Sequence, residues 1–509
     1  MAFLLNLDFS NVDKLHNWLV HAHEKYYVEL KKASGGLPNS LWESYSSFCN
    51  TAGGWLILGV QEGHPQNEIV GVGNPDKVIS EFWNNLHNPM KISYEGVQNE
   101  DIKQIGFPEG DVIFIRVREA PNTIKPVYLN ERQDNTFIRT GDGDRKATRE
   151  QIEALLRNTQ PALDMLAAEK FTLADLDRDS LIVFKEIVSK RYPKKNYLSM
   201  TDESFLTQIG ACFIDKDDGS LKIRKGTVLF LGKINEIREL YPKFHLDYFN
   251  RRGGNARWTD RVTDDEPNDY EMNLFNFYRI VYEKLRALMV ESFRVEGPYQ
   301  LRIPIADFDL TIRECLVNCL IHADYIQGYP STKVEAFDGW IRFTNPGKML
   351  VSVEQFIMGG DSRPRNEIVM KLFRLMGASE RQGFGGPQIY GTAYNNDFRL
   401  PDITTDIEHT ELRFWNIDLA DSYPDLSPEE KDVLRFIVKS DKPYSIRQIG
   451  KELDIKDYWM RKIVAKLIDK GLIQQIGNGP ATKYTRAENT TEELTARQIA
   501  VDQYRKQLQ

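Results

Sequence analysis

The segment from Ile312 to His322 constrains the fold more than any other part of this sequence. It places Glu314, Asn318 and His322 four residues apart, so in an α-helix the three polar side chains share one face. Apolar residues occupy the other faces. The segment therefore predicts a helix that is buried on most sides and has a single polar edge.

A carboxylate and an amide one helical turn apart suit magnesium–phosphate chemistry. The carboxylate of Glu314 can hold and deprotonate a water molecule, and the amide oxygen of Asn318 can bind the metal. The alternative, from this helix alone, is a polar edge on a buried helix that has no ligand. The segments that follow favour the first interpretation.

A hairpin and a glycine cluster follow this helix. Val334 to Phe343 predicts two strands that turn at Asp338-Gly339, followed by Phe343-Thr344-Asn345-Pro346-Gly347. A predicted helix, Glu367 to Met376, leads into Glu380-Arg381-Gln382-Gly383-Phe384-Gly385-Gly386. Glycines leave backbone N–H groups free to approach phosphates, and a helix N-terminus after them favours an anion.

The run from Ile305 to Trp415 resembles the divergent ATPase domain of the gyrase/Hsp90/histidine-kinase (GHKL) superfamily. The resemblance implies a GHKL-like α/β sandwich that binds ATP with Mg²⁺, with Glu314 as general base and Asn318 as metal ligand. The expected nucleotide-binding positions are Asn318, His322, Asn345, Gly347, Arg381, Gly383 and Gly385. Asn345 is a departure, because most members have an Asp there that accepts the adenine amino group.

The N-terminal segment, to about residue 160, alternates helix and strand patterns, which indicates an α/β or α+β domain. The predicted elements are Val12–Glu24, Arg149–Arg157 and Leu41–Cys49 as helices, and Tyr27–Leu30, Gly53–Val60, Val112–Val117 and Thr136–Arg139 as strands or apolar runs. Glu29 and Lys31 share one face of their strand, with Glu24 just before it. Two carboxylates beside a lysine can hold a divalent metal against a phosphodiester; the alternative is an ordinary charged surface strand.

The region from Glu24 to Leu156 resembles the Schlafen AlbA-type domain. The matching pieces are Glu29-Leu30-Lys31, Phe48-Cys49-Asn50-Thr51-Ala52-Gly53-Gly54, Leu58-Gly59-Val60 and Phe137-Ile138-Arg139-Thr140-Gly141. In Schlafen proteins this fold binds nucleic acid, and some members cleave RNA with three acids. The resemblance implies Glu24 and Glu29 as catalytic metal ligands, Glu62 as the third acid and Lys31 as a nucleic-acid contact. Gln61 is a departure, because Glu62 would project from the opposite face of a regular strand.

The segment from Leu426 to Ala487 predicts three helices and a hairpin. The helices are Glu429–Val438, Ile446–Leu453 with Ser445 as N-cap, and Tyr458–Lys470; the strands Leu472–Ile476 and Thr482–Tyr484 flank the tip Gly477-Asn478-Gly479. This pattern resembles the winged helix-turn-helix of many transcription regulators. The expected nucleic-acid contacts are Lys456, Tyr458, Trp459, Arg461, Lys462 and Lys483. The alternative is a protein–protein module of the same fold.

Charge is distributed unevenly along the chain. Leu426 to Arg486 contains 13 Lys and Arg against 8 Asp and Glu, a net charge of +5, and the whole chain carries −8, which leaves −13 on the remainder. A basic module on an acidic body is typical of a local nucleic-acid contact, and equally of an ordinary solvated surface.

These patterns together predict a multidomain protein of α/β and α+β class. The expected domains are an AlbA-type domain at 1–160, a connecting α/β domain at 161–297, a GHKL-like domain at 298–421, a winged helix at 422–487 and a polar helical tail at 488–509. Within the connecting domain we predict a strand at Gly226–Gly232 and a helix at Asn273–Met289. There is no run of about 18 apolar residues, no secretory signal pattern and no disulfide framework in four scattered cysteines, so we expect a cytoplasmic protein with no membrane contact.

Three functions are consistent with these patterns. The first is a regulator in which ATP controls AlbA-type and winged-helix domains on DNA or RNA. The second is a nucleotide-controlled, metal-dependent nuclease, such as an antiviral defence effector. The third is a nucleotide-switched assembly protein that binds no nucleic acid. A homo-oligomer, dimeric or larger, is expected in each case.

Overall fold

A computed structural model describes residues 7, 9–22, 26–141, 143–160, 162–253, 257–289, 293–296, 301–304, 308–360, 363–379, 383–440, 442–477, 479 and 482–487. Glu24, Arg381 and the predicted tail at 488–509 lie outside these residues. The chain divides into unit 1, Met1–Pro161 with Asp406–Glu408, and unit 2, Ala162–Thr405 with His409–Gln509. The finer division into five segments stays a prediction.

Unit 1 contains helices and strands in alternation. Its helices are α1 (Val12–His21), α2 (Leu41–Asn50), α3 (Pro75–Leu86) and α4 (Arg149–Arg157). Its strands are β1 (Val28–Lys31), β2 (Gly54–Leu58), β3 (Val60–Gln61), β4 (Glu68–Ile69), β5 (Ile102–Phe107), β6 (Gly110–Val117), β7 (Phe137–Thr140) and β8 (Gly143–Lys146). The main sheet has the order β1-β2-β6-β5, with β1 and β2 parallel and the other pairs antiparallel.

Both faces of this four-stranded sheet are covered, which explains the unbroken apolar run in β2. Trp55 and Ile57 pack in a cluster with Leu15 and Leu19 of α1. Leu56 and Leu58 point to the other face and pack in a cluster with side chains of α2 and α3. Successive residues of a strand point to opposite faces, so a sheet buried on both sides needs apolar residues at every position.

Unit 2 begins with a largely helical part and continues into a six-stranded sheet and a C-terminal bundle. Its helices are α5 (Arg178–Arg191), α6 (Asp202–Gln208), α7 (Lys225–Leu231), α8 (Ile234–Leu240), α9 (Leu274–Met289), α10 (Phe308–His322), α11 (Val353–Met358), α12 (Glu367–Met376), α13 (Gly385–Asn395), α14 (Pro428–Val438), α15 (Ile446–Leu453) and α16 (Asp457–Asp469). Its strands are β9 (Cys212–Ile214), β10 (Leu221–Ile223), β11 (Leu246–Asn250), β12 (Asp260–Thr263), β13 (Phe293–Glu296), β14 (Leu301–Pro304), β15 (Thr332–Phe337), β16 (Trp340–Pro346), β17 (Asp402–Thr405), β18 (His409–Trp415), β19 (Ile473–Ile476) and β20 (Lys483–Arg486).

The six-stranded sheet has the order β12-β11-β15-β16-β18-β17, in which only β11 and β15 run parallel. The predicted hairpin is present as β15 and β16, and Gly339 at its turn has a φ of +82°. Val334, Ala336 and Phe343 are buried on the inner face. Helix α10 packs on this sheet, against β15 and β16, and also contacts α9, α12 and α13.

The strand predicted at Gly226–Gly232 is wrong, because this segment forms helix α7. Every residue from Gly226 to Leu231 is buried. A short helix that is surrounded on all sides needs no polar face, so its sequence lacks the 3.6-residue period and resembles that of a buried strand.

The C-terminal part of unit 2 contains three helices and a two-stranded hairpin. Helices α14, α15 and α16 pack with β19 and β20 around a common apolar core that includes Val433, Leu434, Ile449 and Leu467. Ser445 caps α15 as predicted, and it forms a capping box with Gln448. None of the helices in the described part of the chain is long and apolar enough to span a bilayer.

Candidate functional site

The polar edge of α10 is present as predicted. Glu314, Asn318 and His322 are half-buried along the helix, and the flanking Cys315, Leu316 and Val317 are buried. The hydroxyl of Thr311 donates to that of Thr392 on α13 at 2.8 Å, which fixes one helix against the other. Packing of α10 between the sheet and α13 therefore sets where its polar edge points.

The N-terminus of α13 lies directly against this edge. A Cβ placed on Gly385 would lie 2.7 Å from Nδ2 of Asn318 and 2.8 Å from Oε1 of Glu314. Only glycine leaves room between these groups and the first turn of the helix. The glycine-rich bend (Gly383 to Gly386) and the pair Glu314 and Asn318 thus meet at one point. Asn318 and Gly385 are 67 residues apart in the chain.

Two features of this point favour an anion or a metal. Within the described residues, Nδ2 of Asn318 is buried and has no hydrogen-bond partner. The N-cap residue of α13, Phe384, provides no side-chain hydrogen bond to the first amides of the helix. Such amides carry a partial positive charge and bind anions.

The other glycines of the bend have a packing role that the sequence did not indicate. A Cβ on Gly386 would overlap the carbonyl oxygen of Phe356, and one on Gly383 would overlap Gly360. Gly383 also has a φ of +79°, and its carbonyl accepts a hydrogen bond from the Gly360 amide at 3.0 Å. These glycines allow the bend to lie directly on the end of α11.

A small cavity lies beside Asn318. Residues of α10, β16, α11, α13 and the β17–β18 hairpin line it, and its volume is about 70 Å³. Its polar lining includes Asn318, His322, Asn345 and Thr410, and the rest is largely apolar. The predicted positions Asn318, His322 and Asn345 therefore face one space.

Thr405 and Thr410 were missed by the sequence analysis. The Met349 amide donates to the Thr405 hydroxyl at 3.0 Å, the two threonine hydroxyls lie 2.9 Å apart, and Thr410 donates to the Gly347 carbonyl at 2.9 Å. Thr410 pairs with Asn345 across the sheet. This pairing brings Thr410 to the cavity, and no local pattern in the sequence reveals it.

Arg365 connects the last turn of α10 to the Gly347 turn. Its guanidinium donates to the His322 carbonyl at 3.1 Å and to the Lys348 carbonyl at 2.9 Å. Burial lowers the pKa of His322 to about 4, and the positive charge of Arg365 contributes. His322 is therefore neutral near pH 7, so its ring can donate and accept hydrogen bonds in the cavity.

In unit 1, Glu29 is almost fully buried and is held by two cations. Arg139 donates to its carboxylate at 2.6 Å, and Lys31 forms an ion pair with it. Arg139 also binds Asp144 at 2.9 Å, and its guanidinium lies 5.1 Å from the ring centre of Phe48. The predicted metal ligand and the predicted nucleic-acid contact thus bind each other.

Glu62 follows β3 and is exposed. Because Glu24 is outside the described residues, the three predicted acids cannot be compared as a set, and the nuclease site stays a prediction. His245, Asp264 and Asp265 form the one cluster of metal-ligating type within the described ranges. Both ring nitrogens of His245 are bound to carboxylates, at 2.7 Å from Asp264 and 2.8 Å from Asp247, so an ion pair accounts for the cluster.

The predicted contacts on the C-terminal bundle lie on its surface. Lys456, Tyr458, Trp459, Arg461 and Lys462 are exposed at the start of α16, and so is Lys483 on β20. Nζ of Lys462 lies 4.7 Å from the ring centre of Tyr458 and 5.1 Å from that of Trp459. Lys462 and the two rings therefore form one exposed cluster at the start of α16.

Comparison with known protein families gives three matches. Residues 24–148 match the family described as "Schlafen, AlbA_2", and residues 331–414 match HATPase_c_4, "Putative ATP-dependent DNA helicase recG C-terminal". Residues 153–247 match a domain of unknown function, DUF8451. The chain therefore contains an AlbA_2-type domain, as the first resemblance implies, and a RecG C-terminal-type domain; the GHKL and winged-helix assignments stay predictions.

Solved structures give weaker similarity. The DIP2311 protein from Corynebacterium diphtheriae is 17% identical over 96% of this chain and 98% of its own, with a TM-score of 0.41. The N-terminal domain of a "Putative ATP-dependent DNA Helicase RecG-related Protein" from Nitrosomonas europaea is 22% identical over 27% of this chain and 90% of its own, with a TM-score of 0.21. No curated protein matches the chain.

Proposed function

We propose that this protein binds ATP with Mg²⁺ through a GHKL-like fold in unit 2, and that the nucleotide controls nucleic-acid binding by the AlbA-type domain and a C-terminal winged helix. The contact of Gly385 with Glu314 and Asn318 carries the nucleotide part of this proposal. It brings an acid, an amide and a helix N-terminus to one point. The family match over 331–414 supports the same assignment.

The residues at this point fit a metal–phosphate group. The buried amide nitrogen of Asn318 needs a partner, and Gly385 brings the first turn of α13 close to it and to Glu314. Rotation of the Asn318 amide exchanges its oxygen and nitrogen, so its oxygen can bind the metal. Glu314 can orient a water molecule and take its proton, and the first amides of α13 can donate to phosphate oxygens. Mg²⁺, when bound, would neutralise phosphate charge.

The base and sugar would enter the cavity next to α10. Asn345, Thr410 and neutral His322 are the polar groups available there, and the apolar lining can cover the faces of a ring. The cavity of about 70 Å³ is smaller than the roughly 300–1,000 Å³ of pockets that enclose such ligands. Nucleotide binding therefore requires the cavity to widen.

Titration of a fluorescent ATP analogue against the full chain, with and without Mg²⁺, tests the nucleotide site. We expect saturable, Mg²⁺-dependent binding that Asn318→Ala weakens. Glu314→Gln should retain binding and lose hydrolysis, because it removes the base and keeps the shape. Glu354→Gln, which changes an exposed carboxylate on α11, is the matched control. Equal turnover by wild type and Glu314→Gln would contradict the assignment.

Incubation with tRNA and plasmid, in Mg²⁺ or Mn²⁺ and with or without ATP, tests the nucleic-acid part. Salt-sensitive binding that ATP changes and that leaves the nucleic acid intact supports the regulator. Metal-dependent cutting that is lost in Glu29→Gln, in a variant whose urea unfolding midpoint shows that it is folded, supports the nuclease alternative. Absence of any retention supports the assembly alternative. We also propose that the protein is a cytoplasmic homo-oligomer. Light scattering with and without ATP would measure its mass.

A further inference from the structure

The first turn of α16 presents two aromatic rings to solvent. Tyr458 is 63% exposed and Trp459 is 56% exposed, and their ring centres are 5.3 Å apart at an interplanar angle of 76°. The core beneath them is complete without them, since Met460, Ile463, Val464 and Leu467 are the buried residues of this helix. The two rings are therefore not needed for folding of the bundle, and they give the surface adjacent flat apolar faces with polar tips that can contact a partner.

The charge around the rings indicates what that partner is. Lys456, Arg461 and Lys462 are exposed beside them, and Asp457 is the acidic residue of the first turn. Lys462 lies over one face of both rings, so a base would stack on a face that the ammonium group leaves open, with the cation close by. Rings flanked by cations are complementary to a ligand that combines flat apolar faces with negative charge.

A nucleic acid offers its base faces only where the bases are unpaired. Reading base edges in the major groove needs side chains that donate or accept hydrogen bonds, such as guanidinium and amide groups. The start of α16 has one such group, Arg461, and beside it two exposed rings that can stack on a base face whatever the sequence.

We propose that the start of α16 is a stacking platform for unpaired bases, so that the C-terminal bundle prefers single-stranded or frayed nucleic acid to a closed duplex. This inference rests on the proposed function, and it specifies the form of nucleic acid that this surface binds. Tyr458 and Trp459 stack on two neighbouring bases, and Arg461 and Lys462 contact the phosphates.

The test compares the full chain on probes of one sequence: a 20-nucleotide DNA strand, the same RNA strand and the blunt duplex. Stacking on one base contributes roughly 1–3 kcal/mol, which is about a 5- to 150-fold change in affinity. We expect Trp459→Ala to weaken single-strand binding by about tenfold and duplex binding by less than about twofold. Trp459→Phe, which keeps a ring, should retain most of the affinity. Trp258→Ala, at another exposed tryptophan, is the matched control and should change neither.

Lys483→Ala separates this inference from the proposed function. One outcome is that Lys483→Ala weakens duplex binding while Trp459→Ala changes the affinity for no probe, or changes it equally for all probes. In that result the protein binds nucleic acid and the stacking platform is refuted. If the wild type retains no probe, both are refuted. Photocrosslinking of a bromouracil-labelled strand provides a second measurement: crosslinks to the peptide that contains Tyr458 and Trp459 support the platform, and crosslinks confined to other peptides contradict it.

Discussion

The guanidinium of Arg139 lies 2.6 Å from the carboxylate of Glu29, and both side chains are almost fully removed from solvent. The two residues are 110 positions apart, and Arg139 also donates to the Val28 carbonyl at 2.9 Å. Arg139 therefore joins the β7–β8 hairpin to the edge strand β1 of the main sheet of unit 1. A buried charge that loses its partner is strongly destabilising.

Replacement of Arg139 by methionine should lower the stability of unit 1 by about 3–5 kcal/mol, because the buried Glu29 carboxylate would lose one of its two cation partners. Urea unfolding followed by tryptophan fluorescence measures this change. Arg132→Met is the control, since Arg132 pairs with Asp134 at an exposed site and should leave unfolding unchanged. Similar midpoints for both variants would contradict a structural role for the Arg139 pair.

Alanine at Gly385 and at Gly386 should have different effects. A Cβ at Gly386 would overlap the Phe356 carbonyl oxygen, so we expect a loss of stability of about 1–3 kcal/mol in thermal unfolding. A Cβ at Gly385 would displace Glu314 and Asn318, so nucleotide affinity should fall more than stability does. The prediction fails if Gly386→Ala unfolds at the wild-type temperature, or if Gly385→Ala binds nucleotide normally.

Stability should depend on pH through His245. Hydrogen bonds to Asp247 and Asp264 raise the pKa of His245 to about 10, from an unfolded value of about 6.5. A raised histidine pKa gives stabilisation that is fully present below pH 6.5 and is lost as the pH rises through 10. The melting temperature of His245→Gln should therefore lie below that of the wild type at pH 6, and the gap should narrow toward pH 10. His87→Gln changes a more exposed histidine and should show no such convergence.

The thiols should be unreactive in the folded protein. Cys49, Cys212, Cys315 and Cys319 are all buried, and burial raises the pKa of Cys49 and of Cys212 to about 12. Thiolate is the reactive form, so an aromatic disulfide reagent should label almost no cysteine in buffer and all four in denaturant. Rapid labelling of any cysteine without denaturant would show that part of the core opens readily.

Helices could be predicted where periodicity and capping act locally. Helices α4, α12 and α15 have the predicted bounds, and the polar edge of α10 follows from a spacing of four. Segment 226–232 could not be predicted, because burial on every side removes the period. The ion pair of Glu29 with Arg139 could not be predicted either, because Arg139 reaches it through tertiary folding alone.

The roles of the glycines were predictable only in part. The sequence shows three glycines before a helix, which suits phosphate binding at each of them. The structure shows that Gly383 and Gly386 are needed for packing on α11 and that Gly385 faces the acid and the amide. A glycine has no side chain that reveals its surroundings, so only the neighbouring backbone distinguishes these uses.

The packing of the bend on α11 has a mechanical consequence. The backbone of Gly383 contacts that of Gly360, and the backbone of Gly386 contacts that of Phe356. No side chain lies between these backbones, so no change of rotamer can relieve a displacement. Side chains absorb small displacements, whereas two abutting backbones pass them on. A displacement of the first turn of α13 on ligand binding would therefore press directly on the backbone of α11 and of Gly360.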